Sequence, residues 1–353
     1  MTSLLTLPKV QMRVRATVFT VVVGAFAALT APAPALDPLH DSLYYCDEGL
    51  DGGASGQWTT DREHRVLVGD PPLPAGVRAS RVSVGRVSTR VVQSGPRHAR
   101  EAVVFVHGNP GSSRDFDPFV AQIGRFARAV AFDVPGFGRA DDRPGGPYTT
   151  QGAARFVEGI TRKLGIRRVH LVLHDFGGPW GLEWGVAHPD RLASVVLIDT
   201  GVLIGYYGHP SAILWHTPLT GEAYVLSTTR ATFTAFLQAN NPRPLPQRFV
   251  NRMYDDWDRA TRCAMLHYYR DIGNPDAMGR HEAEVLRRRI RPALVVWGKE
   301  DPYVPASLAE TQKQAFPAAE IHVLAGDGHW PFVDEPRRVA RLVIPFLRRT
   351  VRP

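Results

Sequence analysis

Asp175, Asp301 and His329 are side chains of the types that can act as a nucleophile, as a carboxylate that orients an imidazole, and as the imidazole itself. Each follows a short run of strand character. The first stretch is the most telling. Val169-His170-Leu171-Val172-Leu173-His174 stops at Asp175, Phe176-Gly177-Gly178 follows, and Trp180, Leu182, Trp184, Val186 and Ala187 then recur at helical spacing. Strand, tight turn and helix form the context of a nucleophile elbow, whose usual tip is the serine of G-x-S-x-G. Here the tip is a carboxylate. With an ordinary pKa of about 3.9, it is charged at neutral pH and attacks without a base to remove a proton. Such a group can displace a leaving group from a saturated carbon and form an alkyl-enzyme ester. A histidine held by an acid through its other ring nitrogen can then activate water to attack that ester. Ester or peptide cleavage of the ordinary kind requires serine or cysteine at position 175.

The elements that must position these groups are legible in the same way. Arg81–Val87 and Ser88–Val92 alternate apolar and polar residues and predict an antiparallel pair at a sheet edge. Ala102–Val106, Ala129–Phe132, Ser194–Ile198, Ala293–Trp297 and Glu320–Leu324 read as further strands, several of them continuous apolar runs suited to burial on both faces. Helical stretches are predicted over 150–164 and 334–349. Between 201 and 286 the β-branched runs vanish and aromatics recur at helical spacing, interrupted at Pro242, Pro244 and Pro246. The fold class expected is α/β, a mostly parallel doubly wound sheet with an inserted helical cap. The expected division is 1–35 leader peptide, 36–75 irregular leader, 76–200 and 287–353 core, and 201–286 cap. Asp175, Asp301 and His329 fall just past strand ends, where ligands bind in open α/β sheets.

Composition excludes some classes. The 353 residues carry 44% hydrophobic side chains, enough for a sizeable core. The formal charge of +8 is almost entirely arginine, since Lys9, Lys163, Lys299 and Lys313 are the only lysines. The arginines are dispersed, which argues against a nucleic-acid partner. Lys9, Arg13 and Arg15 precede the apolar run Ala16–Leu29, and Ala31-Pro32-Ala33-Pro34-Ala35 follows. This pattern predicts a secretory signal peptide cleaved after Ala35, with no stable membrane association afterwards; an uncleaved membrane anchor is the alternative. Export would place Cys46 and Cys263 where a disulfide can form, although two separate buried thiols fit the sequence equally well. No metal-ligand cluster has recognisable spacing, and the chemistry needs no cofactor.

His107-Gly108-Asn109-Pro110, Asp133-Val134-Pro135-Gly136-Phe137-Gly138, His174-Asp175-Phe176-Gly177-Gly178, Gly298-Lys299-Glu300-Asp301 and Gly328-His329-Trp330 occur in this order over about residues 80–353. Together they resemble the α/β-hydrolase superfamily, in which nucleophile, acid and histidine follow in that chain order. The aspartate at the elbow is similar to that of the epoxide hydrolase and haloalkane dehalogenase branch. The resemblance implies Asp175 as nucleophile, His329 as base, and the backbone N–H groups of Asn109 and Phe176 as the oxyanion hole. It implies Asp301 as the acid, with Asp199 as the alternative, since some dehalogenases carry their acid after the preceding strand. His107, His170 and His174 are expected to be structural.

The substrate expected is a small apolar epoxide or haloalkane, with water as second reactant. Halide leaves as a stable anion, whereas an opened epoxide is an alkoxide that needs a proton donor. The dehalogenase pattern places tryptophan directly after the nucleophile, where this chain has Phe176. Asn109 matches the halide-binding asparagine of some dehalogenases, and Leu173 stands where epoxide hydrolases commonly have a small residue. Leu266-His267-Tyr268-Tyr269-Arg270 resembles the L-x-x-Y-R segment that carries a ring-opening tyrosine, which maps to Tyr269. Tyr206, Tyr207 and Tyr224 are candidates for a second. Epoxide hydrolysis is the leading expectation, dehalogenation the second. A catalytically silent binding protein on the same fold is the third.

Overall fold

Eight strands form one sheet in the order β1-β2-β4-β3-β5-β6-β7-β8. The computed structural model describes Cys46, residues 72–141 and residues 148–352. The leader peptide expected at 1–35 lies outside the described residues, as does most of 36–75. In chain order the elements are β1 (Arg78–Val84), β2 (Val87–Ser94), β3 (Glu101–Val106), α1 (Asp117–Ile123), β4 (Ala129–Phe132), α2 (Thr150–Lys163), β5 (Arg168–His174), α3 (Gly177–Ala187) and β6 (Leu192–Ile198). Six helices come next: α4 (Pro210–His216), α5 (Thr220–Ser227), α6 (Arg230–Ala239), α7 (Gln247–Asp256), α8 (Arg259–Asp271) and α9 (Pro275–Leu286). The sheet resumes with β7 (Ala293–Gly298) and β8 (Glu320–Leu324), and α10 (Pro331–Asp334) and α11 (Pro336–Thr350) close the chain.

β1 and β2 pair antiparallel at one edge, and β2 pairs antiparallel with β4. Every later pairing is parallel. All seven residues of β6 and all six of β7 are buried, because helices cover both faces of the sheet. That burial on two faces is why these strands read as unbroken apolar runs rather than alternating ones.

Two boundaries differ from the sequence reading. The hairpin turns at Gly85-Arg86, so Val87 belongs to the second strand and pairs with Val84. Gly85 takes a positive φ of 59° that suits a two-residue turn, and alternation alone could not locate it. The closing helix is split at Glu335, because Pro331 and Pro336 each begin a helix, where a missing N–H costs nothing.

Cys46 and Cys263 form a disulfide with Cα atoms 5.5 Å apart, across 217 residues of chain. The question left open by two cysteines is thereby answered. The bridge ties the segment before the sheet to α8.

Candidate active site

The elbow is built by backbone constraint. Asp175 has φ +50°, a left-handed conformation that costs a non-glycine residue on the order of 1–3 kcal/mol. The turn is held by its own carbonyl, which accepts from Thr200 Oγ1 at 2.6 Å and from the Gly178 N–H at 2.9 Å. A Cβ on Gly177 would strike the Val106 carbonyl, and one on Gly178 would strike the Thr200 side chain. The two glycines let α3 start flush against the ends of β3 and β6. Leu173 is fully buried and packs where Gly181 leaves room for it, so the large residue before the elbow is accommodated by a small one on α3.

The loop after β3 covers the carboxylate. The Asn109 N–H donates to Asp175 Oδ1 at 2.6 Å. Phe176, whose own N–H makes no hydrogen bond among the described residues, opens α3 beside it. His107 accepts from the Val134 N–H through Nε2 at 2.9 Å, and His170 bridges Ser194 and Glu101 at 2.7 Å each. Both hold loops and strands together, as expected. His174 does more. It lies 2.8 Å from the His329 carbonyl through Nε2, so it fixes the backbone that carries the other imidazole.

His329 stands between two carboxylates. Its Nδ1 lies 2.8 Å from Asp301 Oδ2, and its Nε2 lies 3.4 Å from Asp175 Oδ2. Asp301 is held in turn by the backbone: Oδ1 accepts from the N–H groups of Tyr303 at 2.8 Å and Val304 at 3.1 Å. Of the two acids weighed from sequence, it is Asp301 that meets the imidazole. Asp199 is fully buried nearby, with Oδ1 accepting from the Gly298 N–H at 2.8 Å.

The charges follow from this geometry. Burial pushes the Asp175 carboxyl up, but hydrogen bonding and attraction from His329, then His174 and the Asn109 N–H, bring it down to about 2. Burial pushes His329 down, yet the Asp301 charge and the bonds to Asp175 and Asp301 raise it well above the usual histidine range. Both shifts favour an imidazolium held between two carboxylates.

Above the elbow lies a cavity of about 210 Å³, lined by Asp175 and Phe176 from the core and by Leu203, Tyr206, His209 and Tyr269 among others. Tyr269 is buried, its hydroxyl 3.2 Å from His209 Nε2. Tyr206 also lines the cavity, but its hydroxyl donates to the Tyr303 carbonyl at 3.0 Å. Tyr207 is 79% exposed at the cavity mouth. Tyr224 packs on Trp215 and does not line the cavity. His209 escaped the sequence reading, since a lone histidine in an aromatic helical stretch has no spacing signal. So did Tyr303, whose ring lies 5.0 Å from His329.

Residues 103–342 match the model of the alpha/beta hydrolase family. The chain belongs to that family. Its curated relatives include a 2-hydroxy-6-oxononadienedioate/2-hydroxy-6-oxononatrienedioate hydrolase of a Pseudomonas species, 24% identical over 76% of this chain and 95% of that protein. Among solved structures, the Cif epoxide hydrolase of Acinetobacter nosocomialis is 16% identical, with a TM-score of 0.70 over 84% of this chain and 97% of that one. The haloalkane dehalogenase DatA of Agrobacterium tumefaciens C58 is 23% identical, with a TM-score of 0.67 over 78% and 98%. At these identities the structural likenesses establish the α/β-hydrolase fold alone, and the assignment as a hydrolase rests on the family match. The choice of reaction rests on this chain's own side chains.

Proposed function

We propose that this hydrolase opens epoxides to diols through an ester on Asp175. The observation that carries the reading is the hydrogen bond between His209 and Tyr269 above Asp175. Burial keeps His209 down to about 4, so its ring is neutral at physiological pH. Its Nδ1 accepts from the Ala212 N–H at 3.2 Å, which leaves the single ring proton on Nε2. His209 therefore donates to the Tyr269 oxygen, and the Tyr269 O–H is free to point into the cavity. Burial and the Asp175 charge push the Tyr269 phenol well above its usual range, so the proton is present to be given.

In this mechanism Asp175 Oδ2 attacks a ring carbon, because Oδ1 is occupied by the Asn109 N–H. The carbon–oxygen ring bond breaks, its electron pair goes to the ring oxygen, and that oxygen takes the Tyr269 proton. Esterification removes the charge of Asp175, one of the causes that hold His329 protonated. The imidazolium can then release its proton to solvent and act as base toward water. Water gives one proton to His329 and adds to the ester carbonyl, and the oxyanion faces the N–H groups of Asn109 and Phe176. The acyl carbon–oxygen bond to the substrate then breaks, its electron pair goes to the substrate oxygen, that oxygen takes the proton from His329, and the diol leaves. The second proton of the water passes from the Asp175 carboxyl to the Tyr269 phenolate, which restores both groups. Asp301 orients the ring throughout.

The cavity suits a small apolar substrate, and its size supports a compact epoxide such as styrene oxide. The test is diol formation from an epoxide panel, joined to mass analysis of the His329→Gln variant, in which one substrate mass should remain on Asp175. A second reading, dehalogenation, is favoured by Asn109, whose buried side-chain amide has no hydrogen-bond partner among the described residues and is the group type that solvates a halide. Bromide release from haloalkanes, with no turnover of epoxides, would reverse the order. If neither class labels Asp175, the fold serves binding instead. A curated relative is named a hydrolase of 2-hydroxy-6-oxononadienedioate; for this chain the carboxylate at position 175 speaks against attack on a carbonyl carbon, which would give a labile anhydride instead of an ester.

We further propose export, with the mature chain beginning at Leu36. The Cys46–Cys263 bridge supports an oxidising compartment. N-terminal sequencing of the protein recovered from its native host, together with its cell fraction, tests this.

A further inference from the structure

The acid position behind His329 holds two carboxyl groups, not one. Asp199 ends β6 with φ +48° and is fully buried, and its Oδ1 accepts the N–H of Gly298, the last residue of β7. The chain turns there, and the Asp301 N–H donates back to the Gly298 carbonyl at 3.3 Å, so that one residue, Gly298, holds both acids through its N–H and its carbonyl and sets them side by side behind His329. Their surroundings are unequal. Asp301 receives three donors, from Tyr303, Val304 and His329. Asp199 receives one, and among the described residues no N–H or hydroxyl donor reaches its Oδ2.

Two adjacent buried carboxylates cannot both stay charged at small cost; one proton between them turns repulsion into a hydrogen bond. That proton belongs on the partner with fewer donors. The titratable groups acting on Asp199 are Asp301, in the loop after β7, and His329, in the loop after β8.

We propose that Asp199 stands as a neutral carboxylic acid donating its proton to Asp301, so that the unit behind His329 is two carboxyls sharing one proton, with Asp199 as a positioning residue. Burial, and then the Asp301 charge, push the Asp199 carboxyl well above its usual range, in agreement. Asp199 does not line the cavity above the elbow. It fixes the Asp301 carboxylate, which fixes the ring of His329. The assignment rests on the hydrolase reading with His329 as base, but its first test does not need turnover.

At neutral pH the infrared difference between the parent and Asp199→Asn should contain a protonated-carboxyl stretch that shifts in deuterium oxide, distinct from any band of another buried acid, Glu282, which is common to both proteins. Activity supplies the second arm. Asp199→Gly keeps the positive φ without strain and leaves Asp301 without its donor. It should lower kcat by ~10-fold or more with KM little moved, and shift the limb of the pH profile governed by His329. Asp199→Asn, whose amide can donate as the acid does, should regain most of that loss. Absence of the infrared band overturns the proposal, whether or not an epoxide is turned over. So does an Asn variant as impaired as Asp301→Asn, which would mean that Asp199 is the charged acid. A Gly variant equal to the parent overturns it too, by making Asp199 an ordinary strand-end residue.

Discussion

The strand ends and the helical segment build the site by different means. At the strand ends each group is set by backbone: φ +50° at Asp175, two N–H donors on Asp301, and one N–H on the Asp175 carboxylate. In the helical segment the working pair is set by side-chain packing. Tyr269 on α8 meets His209, 60 residues earlier, and its ring rests on Phe176 and Trp215 at 4.9 Å each. Arg270, its neighbour, makes a two-pronged bond to Glu222 on α5 at 2.7 and 2.9 Å, which fixes the rotation of α8. The difference separates chemistry common to any substrate from chemistry tied to one leaving group. Groups at strand ends should serve every substrate that alkylates Asp175, whereas groups on helices should matter only when the leaving oxygen needs a proton.

The largest test of that division is Asp175→Asn, which removes the proposed nucleophile. Turnover of epoxides and of haloalkanes should both fall by ~10⁴-fold or more. Retained activity on either class would show that the strand-end site is not the common element. Thermal stability probes the same carboxylate. Asp175 is depressed to about 2, so its ionised form stabilises the parent above the ordinary carboxyl range, and that contribution is lost as pH falls toward 2. The Asn variant should therefore lose less stability than the parent between neutral and acid pH.

His329→Gln should fall next, by ~10²–10⁴-fold in steady turnover, but with one rapid equivalent of ester formed on Asp175 for either substrate class. In the parent, ester hydrolysis requires the neutral imidazole, so lowering the pH should slow that step and let ester build up. Because the folded-state value of His329 is raised, its ion pairs stabilise the protein fully below the ordinary histidine range, and that stabilisation is lost as pH rises through the raised value. The Gln variant should lack this alkaline fall, as melting temperature against pH would show.

The two regions were unequally legible. Asp175, Asp301 and His329 were readable because strands announce their ends through apolar runs and the turn residues after them. Asp199 was readable as a rival for the same reason, but its unequal share of donors depends on how β6 and β7 lie side by side. In the helical stretch Tyr269 could be read only because a short motif carries it. His209 could not, since its partner is fixed by how α4 and α8 meet. Phe176 gave its signal by what it lacks, an indole donor.

Tyr269→Phe tests the helical side directly. Loss of the free hydroxyl should reduce epoxide opening by ~10²-fold or more, while any dehalogenation changes little, since halide departs without a proton. Replacing His209 with a residue that cannot donate should act through the same oxygen with a smaller loss. Equal losses on both substrate classes would mean that Tyr269 shapes the cavity rather than supplying a proton.

The smallest effect should come from the disulfide, and it bears on why the helical side needs support. Cys263 lies on α8 only six positions before Tyr269, and its partner Cys46 precedes the whole sheet. The strand ends are held by ladders on either side, but α8 is held by packing, by Arg270 and by this bridge. The double variant Cys46→Ser, Cys263→Ser should lose about 2–4 kcal/mol of stability, read from denaturant unfolding. Below its melting temperature it should open epoxides a few-fold more slowly, yet hydrolyse a preformed Asp175 ester at the parent's rate. A uniform slowing of both steps would show that the bridge supports the whole molecule and not the helical side, and the contrast between the two regions would lose its basis.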